Sequence, residues 1–522
     1  MTMGREKSDG RVVPKGRRKT PPTAVVERGG KAITASKSAG QLELRLGTAD
    51  NPKGNVAGAA EDLSSPAPRA VPKPKRTTRN ELPPMTMESV AEDDNLRRAW
   101  EHVQRNDGAA GPDRRSIGEV REHIDELLVA LHRDLLAERY RPGMIRRVWI
   151  PKASGGQRGL GIPDVIDRIV QQAVHQVLSP QYEPTFHPSS HGFRPERSCH
   201  TAIAEARMHL EEGYEWLVDL DLSRFFDRVH HDRLLARLAR RVHDARVVKL
   251  IHRMLKAKVV MPDGVVVSTE EGTPQGGPLS PLLSNIVLDE LDIELEARGY
   301  RFVRYADDCN IYVRSERAGH RVMSSVVRFI ERKLRLVVNA DKSAVARPEE
   351  RHFLGFRLRR DPELGVVDVL LSKRSKDRVD EKIRKLVPRS WGRSLDDCIQ
   401  RINRYVLGWI GFFWICTDAE GRTLHALDAR IRRRLRALLL KHWKQKRFIV
   451  RKLVRLGARP RTARVAVYER NQSWWALSHT PVVDRALPTA YFVAQGLASI
   501  ERRWFELRAN NVGPAQLTLG IG

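Results

Sequence analysis

The chain has 522 residues, with 93 Lys and Arg against 64 Asp and Glu, a formal net charge of +29. A surplus that large points to a polyanion, nucleic acid before an anionic membrane, and no apolar run approaches the length of a spanning helix. The N-terminus also lacks the charged-then-apolar layout of a secretory signal, so a soluble intracellular protein is expected, with room for two or three domains of about 100–200 residues each.

Residues 1–85 are rich in Pro, Gly, Ser, Ala, Lys and Arg, and the first aromatic of the chain is Trp100. Such a stretch cannot bury enough apolar surface to offset its chain entropy, and it reads as a disordered basic tail. An organelle-targeting peptide is the rival reading; Glu27, Glu43, Asp50, Glu61 and Asp62 count against it. Order is expected from Asp94, where Leu96, Trp100 and Val103 fall at helical spacing before the turn Asn106-Asp107-Gly108. Ile124, Leu127, Leu128, Leu131 and Leu135 predict a second helix, ended by Pro142-Gly143. From there to about Phe356 short β-type runs alternate with amphipathic helices, the pattern of an α+β domain.

The Gly-rich run 155–161 lacks the Gly-Lys-Ser/Thr ending of a P-loop, but Lys152 and Arg158 flank it and could clamp a triphosphate, the one as a point charge and the other as a fork. In 216–222 the apolar Val218, Leu220 and Leu222 alternate with Asp219 and Asp221, so both carboxylates project from one face of a half-buried strand. Asp227 beyond them reads as a turn or cap residue. Asp307-Asp308 lies between the apolar runs 302–305 and 311–313, at a hairpin turn. Alone, such a dipeptide reads as a solvated turn. Together with a strand-borne Asp it supplies the hard oxygen donors that a two-metal phosphoryl transferase needs.

From Val379 onward the chain reads as helices, with Leu424, Leu427, Ile431, Leu435 and Leu438 on one face. Between Arg430 and Arg464 no acidic residue occurs. A charge run is usually a solvated face, but this one is unusually long and one-sided, as a surface for nucleic-acid phosphates would be. Trp409, Phe412-Phe413, Trp474-Trp475 and Tyr491-Phe492 lie at helical spacing among aliphatics and read as bundle core. Cys199, Cys309, Cys398 and Cys416 are scattered without a C-x-x-C pair, which favours reduced structural thiols over disulfides or a zinc ribbon.

Five motifs then carry a family resemblance: S-H-G-F-R-P at 190–195, V-D-L-D-L-S-R-F-F-D at 218–227, G-T-P-Q-G-G-P-L-S-P-L-L-S-N at 272–285, Y-A-D-D at 305–308 and F-L-G-F at 353–356. They stand in the order of reverse transcriptase motifs, and from about residue 95 to 500 the chain resembles a group II intron reverse transcriptase/maturase. The resemblance implies a right-hand polymerase followed by an α-helical thumb and maturase domain: an N-terminal extension and fingers over 86–215, a palm over 216–365, the helical region over 366–508 and a short tail over 509–522, with the reverse transcriptase domain at about 130–360. It implies catalytic and metal-binding aspartates at Asp221, Asp307 and Asp308, with the Leu222 carbonyl as a further ligand of two Mg2+ ions, for which Mn2+ can substitute.

The same resemblance implies that Lys152, Arg158, Gln275 and Gly276 hold the nucleotide, with Gly159 standing where many relatives have Pro. Phe226 matches the position that excludes a 2′-hydroxyl, Lys342 the residue proposed to protonate leaving pyrophosphate, and Phe353, Leu354, Gly355 and Phe356 a primer-gripping strand pair. Arg432, Arg433, Arg436, Lys441, Lys444, Arg447, Arg451 and Lys452 fall in the implied RNA-binding thumb. Implied partners are intron RNA, an RNA template with a DNA primer, target DNA and deoxynucleoside triphosphates, with no membrane and a cytoplasmic or nucleoid location, an organelle being the other possibility. The endonuclease domain of many relatives has no counterpart after about residue 508, which implies priming from an existing DNA end such as a replication-fork strand. The competing readings are a domesticated, defence- or CRISPR-associated reverse transcriptase, and an RNA-binding splicing factor without polymerase activity.

Overall fold

The computed structural model describes residues 84–151, 156–388, 392–417, 421–468 and 473–511. The expected basic tail therefore lies outside the described residues but for its last two positions, as do Lys152 and residues 512–522. The helix expected near Asp94 runs over Asp93–Asn106 and buries Leu96, Trp100 and Val103, with Asp107 closing it in the left-handed region at φ 43°. After a short helix at Ile117–Glu122, the second expected helix, Ile124–Leu136, ends six residues before Pro142 rather than at it. The amides of Arg139 and Tyr140 turn back onto the Asp134 carbonyl at 2.8 and 3.1 Å, so a backbone cap stops the helix before proline can.

Among the described residues ten strands follow: β1 (Ile145–Pro151), β2 (Gln157–Ile162), β3 (Trp216–Leu220), β4 (Val259–Val260), β5 (Val266–Val267), β6 (Arg301–Tyr305), β7 (Asp308–Val313), β8 (Ala344–Ala346), β9 (Phe356–Arg360) and β10 (Val367–Leu371). They form three sheets, with orders β2-β1-β4-β5, β6-β7-β3-β8 and β10-β9. The second is wholly antiparallel, with Asp219 opposite Asn310 and Leu220 opposite Cys309.

Alternation along β3 divides that sheet into two faces. Val218 and Leu220 join Phe302, Cys309 and Ile311 in the large core, packed with residues from the helices Ser280–Ala297 and Glu316–Phe329. Leu217, Val303 and Tyr312 on the other face meet the helix Cys199–Glu211 and residues of β9 and β10. The carboxylates of Asp219 and Asp221 belong to this second face, at the end where the apolar cover stops.

Beyond β10 every regular element among the described residues is a helix, from Lys373–Leu386 to Ile500–Asn511. The expected stripe Leu424, Leu427, Ile431, Leu435 and Leu438 is buried, on the helix Gly421–His442. The architecture is thus the expected α+β part followed by a helical part. All four cysteines are buried, and none forms a disulfide among the described residues. No helix among the described residues is long and apolar enough to cross a membrane.

Phe356, fully buried, joins the two parts: its ring lies 5.8 Å from Phe412 and 5.1 Å from Phe413, both on the helix Leu395–Phe413. Phe356→Ala should therefore lower stability by about 3–5 kcal/mol, read as a lower urea midpoint; a loss under about 1 kcal/mol would mean that the junction contributes little.

Candidate active site

Antiparallel pairing brings the conspicuous carboxylates together. Tyr305 pairs with Asp308, which leaves Ala306 and Asp307 as the two turn residues, Ala306 at φ +56°. Carrying the β3–β7 register one step beyond Leu220 and Cys309 sets Asp221 level with Asp308 on the neighbouring strand. Burial pushes the Asp307 carboxyl up, and the charge of Asp221 adds to this; the positive charges of Arg158 and Lys342 oppose it. The Asp308 carboxylate still touches solvent, yet the protein around it displaces bulk water and, with Asp307, Asp219 and Asp221, pushes its pKa up to about 7. Several carboxylates that disfavour one another's ionised form are the electrostatic condition a cation relieves.

One cation already sits there. Lys342 Nζ lies 3.1 Å from Asp221 Oδ2, which also accepts from Asn339 Nδ2 at 3.1 Å. The Asp221 amide donates to Ser343 Oγ and its carbonyl accepts from the Asn339 amide, so the 339–343 loop and the end of β3 fix one another. Leu222 is buried and bridges to Val338. Among the described residues no group of three or more His, Cys, Asp or Glu forms a ready metal cage. The all-oxygen donor set nevertheless suits a hard divalent cation by charge and donor type.

Asp219 is explained by its partner. Arg351 Nε donates to Asp219 Oδ2 at 2.8 Å, and a terminal nitrogen of the same guanidinium donates to the Lys342 carbonyl. Burial pushes the Asp219 carboxyl up against the pull of Arg351. Asp219 therefore belongs to an ion pair that ties the Lys342 loop, and the chain entering 353–356, to β3.

Phe353 and Phe356 exchange backbone hydrogen bonds of 2.9 Å around Leu354 and Gly355, both at positive φ. This segment is a tight turn ahead of the β9–β10 pair, not itself a strand pair, because the two central residues turn the chain immediately. Gly355 is held from the helical part, its carbonyl accepting from the Ser372 amide and Ser375 Oγ.

Of the expected nucleotide residues Lys152 lies outside the described residues, and Gln275 and Gly276 pack against the strand that bears Arg158. Gly161 N donates to the Gln275 carbonyl at 2.7 Å, and Gly276, at φ +134°, stands so near β2 that a Cβ there would lie 2.4 Å from the Gly161 carbonyl oxygen. Only glycine allows that approach. Arg158 is exposed on β2. Phe226 is half-buried against Phe225 at 5.3 Å between ring centres, and its carbonyl accepts from the Thr273 amide, beside Gln275.

Beneath the hairpin lies a device that the motif pattern did not single out. Arg304 and Asp292 are both fully buried, joined from Nε at 2.7 Å and from a terminal nitrogen at 2.5 Å. The same guanidinium donates to Asn285 Oδ1, the Ala306 carbonyl and Ser190 Oγ. Gly192 packs against the hairpin so closely that a Cβ there would lie 2.3 Å from Ala306 N. His191 in turn holds Glu205, whose burial disfavours its charge, but the hydrogen bonds from His191 and Ser189, with the His209 ring 3.7 Å away, outweigh that and keep the carboxyl well below its usual range. The available signal was two opposite charges at core positions, Arg304 in phase with Phe302 and Asp292 in phase with Leu288 and Leu295.

Of the expected RNA-binding residues, Lys441, Lys444, Arg447, Arg451 and Lys452 are exposed, and Arg432 and Arg433 half-buried. Arg436 is a correction: it is buried, donating to the Leu487 carbonyl at 3.0 Å and paired with Asp484, so internal acceptors occupy its guanidinium. Phe492 is core, as expected, whereas Trp475 is half-exposed and carries Arg433 over its ring at 4.1 Å.

Two family models match the chain, one in each part. A family model for reverse transcriptase (RNA-dependent DNA polymerase) matches residues 150–358, and one for the group II intron maturase-specific domain matches 376–457. Protein YkfC of Escherichia coli is 36% identical over 270 residues, covering 44% of this chain and 71% of that protein. The group II intron-encoded protein LtrA of Lactococcus lactis is 42% identical over 154 residues, covering 29% of this chain and 25% of LtrA. A solved partial Cas6-RT-Cas1–Cas2 complex has a chain 23% identical at a TM-score of 0.31, covering 47% of this chain and 42% of that one.

Removing one member of the buried pair leaves the other charged and unpartnered, so Arg304→Ala should destabilise the fold by about 3–5 kcal/mol. Urea denaturation checks this; a loss below about 1 kcal/mol would show that the hairpin does not depend on the pair.

Proposed function

This chain belongs to the group II intron reverse transcriptase/maturase family, and on that premise we propose that it copies RNA into DNA and separately binds its intron RNA to assist splicing and mobility. The observation that carries the first activity is the convergence of Asp221, Asp307 and Asp308 with the charges of Arg158 and Lys342.

In this reading Asp221, Asp307, Asp308 and the Leu222 carbonyl hold two magnesium ions, with manganese as a substitute. Bound there, such ions would supply Lewis-acid activation of a primer 3′-hydroxyl and charge stabilisation for leaving pyrophosphate. The protein's own part is positioning. Arg158 offers a two-pronged donor to the triphosphate, with Lys152 beside it in sequence. Gln275 lines the sugar, and the Phe226 ring, steadied by Phe225, excludes a 2′-hydroxyl. Lys342 holds its proton beside Asp221 and delivers it to the departing pyrophosphate. The turn 353–356, buttressed by the helical part, steadies the primer end.

Splicing assistance needs only an RNA-binding surface, and the exposed Lys441, Lys444, Arg447, Arg451 and Lys452 supply one for phosphates. The two activities are therefore separable. Asp307→Ala with Asp308→Ala should abolish primer extension on an RNA template with magnesium and deoxynucleotides, and retain splicing assistance. Loss of both in a folded variant would refute the separation, and no extension by the unaltered protein at any salt concentration would favour a binding-only role. Phe226→Ala should raise ribonucleotide incorporation, about tenfold or more if the ring excludes the 2′-hydroxyl by contact, since each factor of ten is about 1.4 kcal/mol; unchanged selectivity would return Phe226 to the core.

A further inference from the structure

The helix Gly421–His442 turns its leucines inward, and its arginines crowd a second face covered by the short helices Trp474–Leu477 and Pro481–Ala486. Between them lies a cavity of about 520 Å3 lined by six arginines, Arg384, Arg430, Arg432, Arg433, Arg434 and Arg436, with Asp484 the only acidic residue in its lining among the described residues. That volume falls within the roughly 300–1,000 Å3 of small-ligand sites. Arg434 and Arg436 are buried, whereas Arg384, Arg430, His479 and Thr489 are exposed, so the cavity has a protein floor and an open rim.

The guanidinium groups are unevenly satisfied. Arg436 pairs with Asp484, Arg384 and Arg430 share Asp380, and Arg434 donates to the carbonyls of Val387 and Arg384. Arg432 and Arg433 form no close ion pair among the described residues, although the charge of Arg432 acts on the Asp428 carboxylate one turn earlier. Arg433 Nε is buried there without a hydrogen-bond partner, while its guanidinium carbon lies over the Trp475 ring, 4.1 Å from the ring centre, with that of Arg434 farther out at 5.9 Å.

Six like charges around one cavity repel, and a buried donor without an acceptor is costly. An anion resolves both, and the guanidinium fork matches phosphate. The Arg433–Trp475 stack also offers a flat, polarisable platform of the kind on which unpaired bases stack. We infer that this cavity takes one unpaired nucleotide of a bound RNA, its phosphate on Arg432 and Arg433 and its base on the Arg433–Trp475 stack. The inference rests on the RNA-binding reading above and narrows it: the exposed Lys441–Lys452 face grips phosphates of any RNA, whereas the cavity selects RNA that can offer an extruded nucleotide, since a duplex cannot enter it.

The test uses the full chain and two RNA duplexes of one sequence, one fully paired and one with a single unpaired adenosine. Affinity is measured by fluorescence anisotropy over a salt series. Arg433→Ala should weaken binding of the bulged RNA about 5- to 100-fold, the range of losing one stacked base, and leave the paired duplex within about twofold. Lys452→Ala should weaken both alike. Arg433→Lys keeps the charge but loses the fork and the stack, so it should lose most of the preference for the bulged RNA, with a melting temperature matching the unaltered protein. Equal losses on both RNAs for Arg433→Ala, or none, would overturn the pocket while leaving general RNA binding standing. Adenosine monophosphate binding as tightly as the bulged RNA would assign the site to free nucleotides and overturn RNA as the ligand. An unaltered protein that binds neither RNA would refute the RNA-binding reading itself, and the pocket with it.

Discussion

Arg304 carries five N–H donors, and the structure gives each an acceptor: Asp292 twice, Asn285, the Ala306 carbonyl and Ser190. Taking a guanidinium and a carboxylate wholly out of water is expensive, and the arrangement is tolerable only because the satisfaction is complete. In return it joins the turn at Ser190, the helix Ser280–Ala297, β6 and the hairpin turn itself. Ala306 can stay in the left-handed region because its carbonyl is held from below, and that conformation presents Asp307 and Asp308 to the end of β3. The candidate site therefore stands on a buried ion pair that has no contact with any expected substrate group.

A second pair extends the principle to the rim. Asp219 and Arg351 bind the loop bearing Lys342 to the strand bearing Asp221, so the two sides of the site are cross-braced by charge. Phe356 and Gly355 then couple the turn beside that loop to the helical part, through rings on one side and serine hydrogen bonds on the other.

The surplus of positive charge is used in three distinct ways. Arg158 and Lys342 act on a cluster of carboxylates; Lys441, Lys444, Arg447, Arg451 and Lys452 face solvent; Arg432 and Arg433 line a cavity where internal acceptors run short. Composition adds these charges together, although their chemistry differs with burial. Arg436 shows the difference most plainly, since it lies in the same basic run and is consumed by Asp484 and a backbone carbonyl.

Local periodicity was enough to read the helix Asp93–Asn106, the leucine stripe from Leu424 to Leu438 and the alternation that puts Asp219 and Asp221 on one face, because 3.6- and 2-residue repeats are properties of the backbone and need no partner. The hairpin was legible too, expected at Asp307-Asp308 and found one residue earlier, with Ala306 and Asp307 in the turn and Asp308 already on the strand. What required the folded chain were relations between segments far apart in sequence: Arg304 with Asp292 and Ser190, Asp219 with Arg351, Gly276 against Gly161, and the stacking of Arg433 on Trp475. A residue's spacing tells which way it points, but not which distant segment it meets, and whether a charge is solvated, paired or left wanting an anion depends on that meeting. For this reason the aspartates, the basic run and the α+β class were legible along the chain, while the brace beneath the hairpin and the cavity in the helical part were settled only by packing.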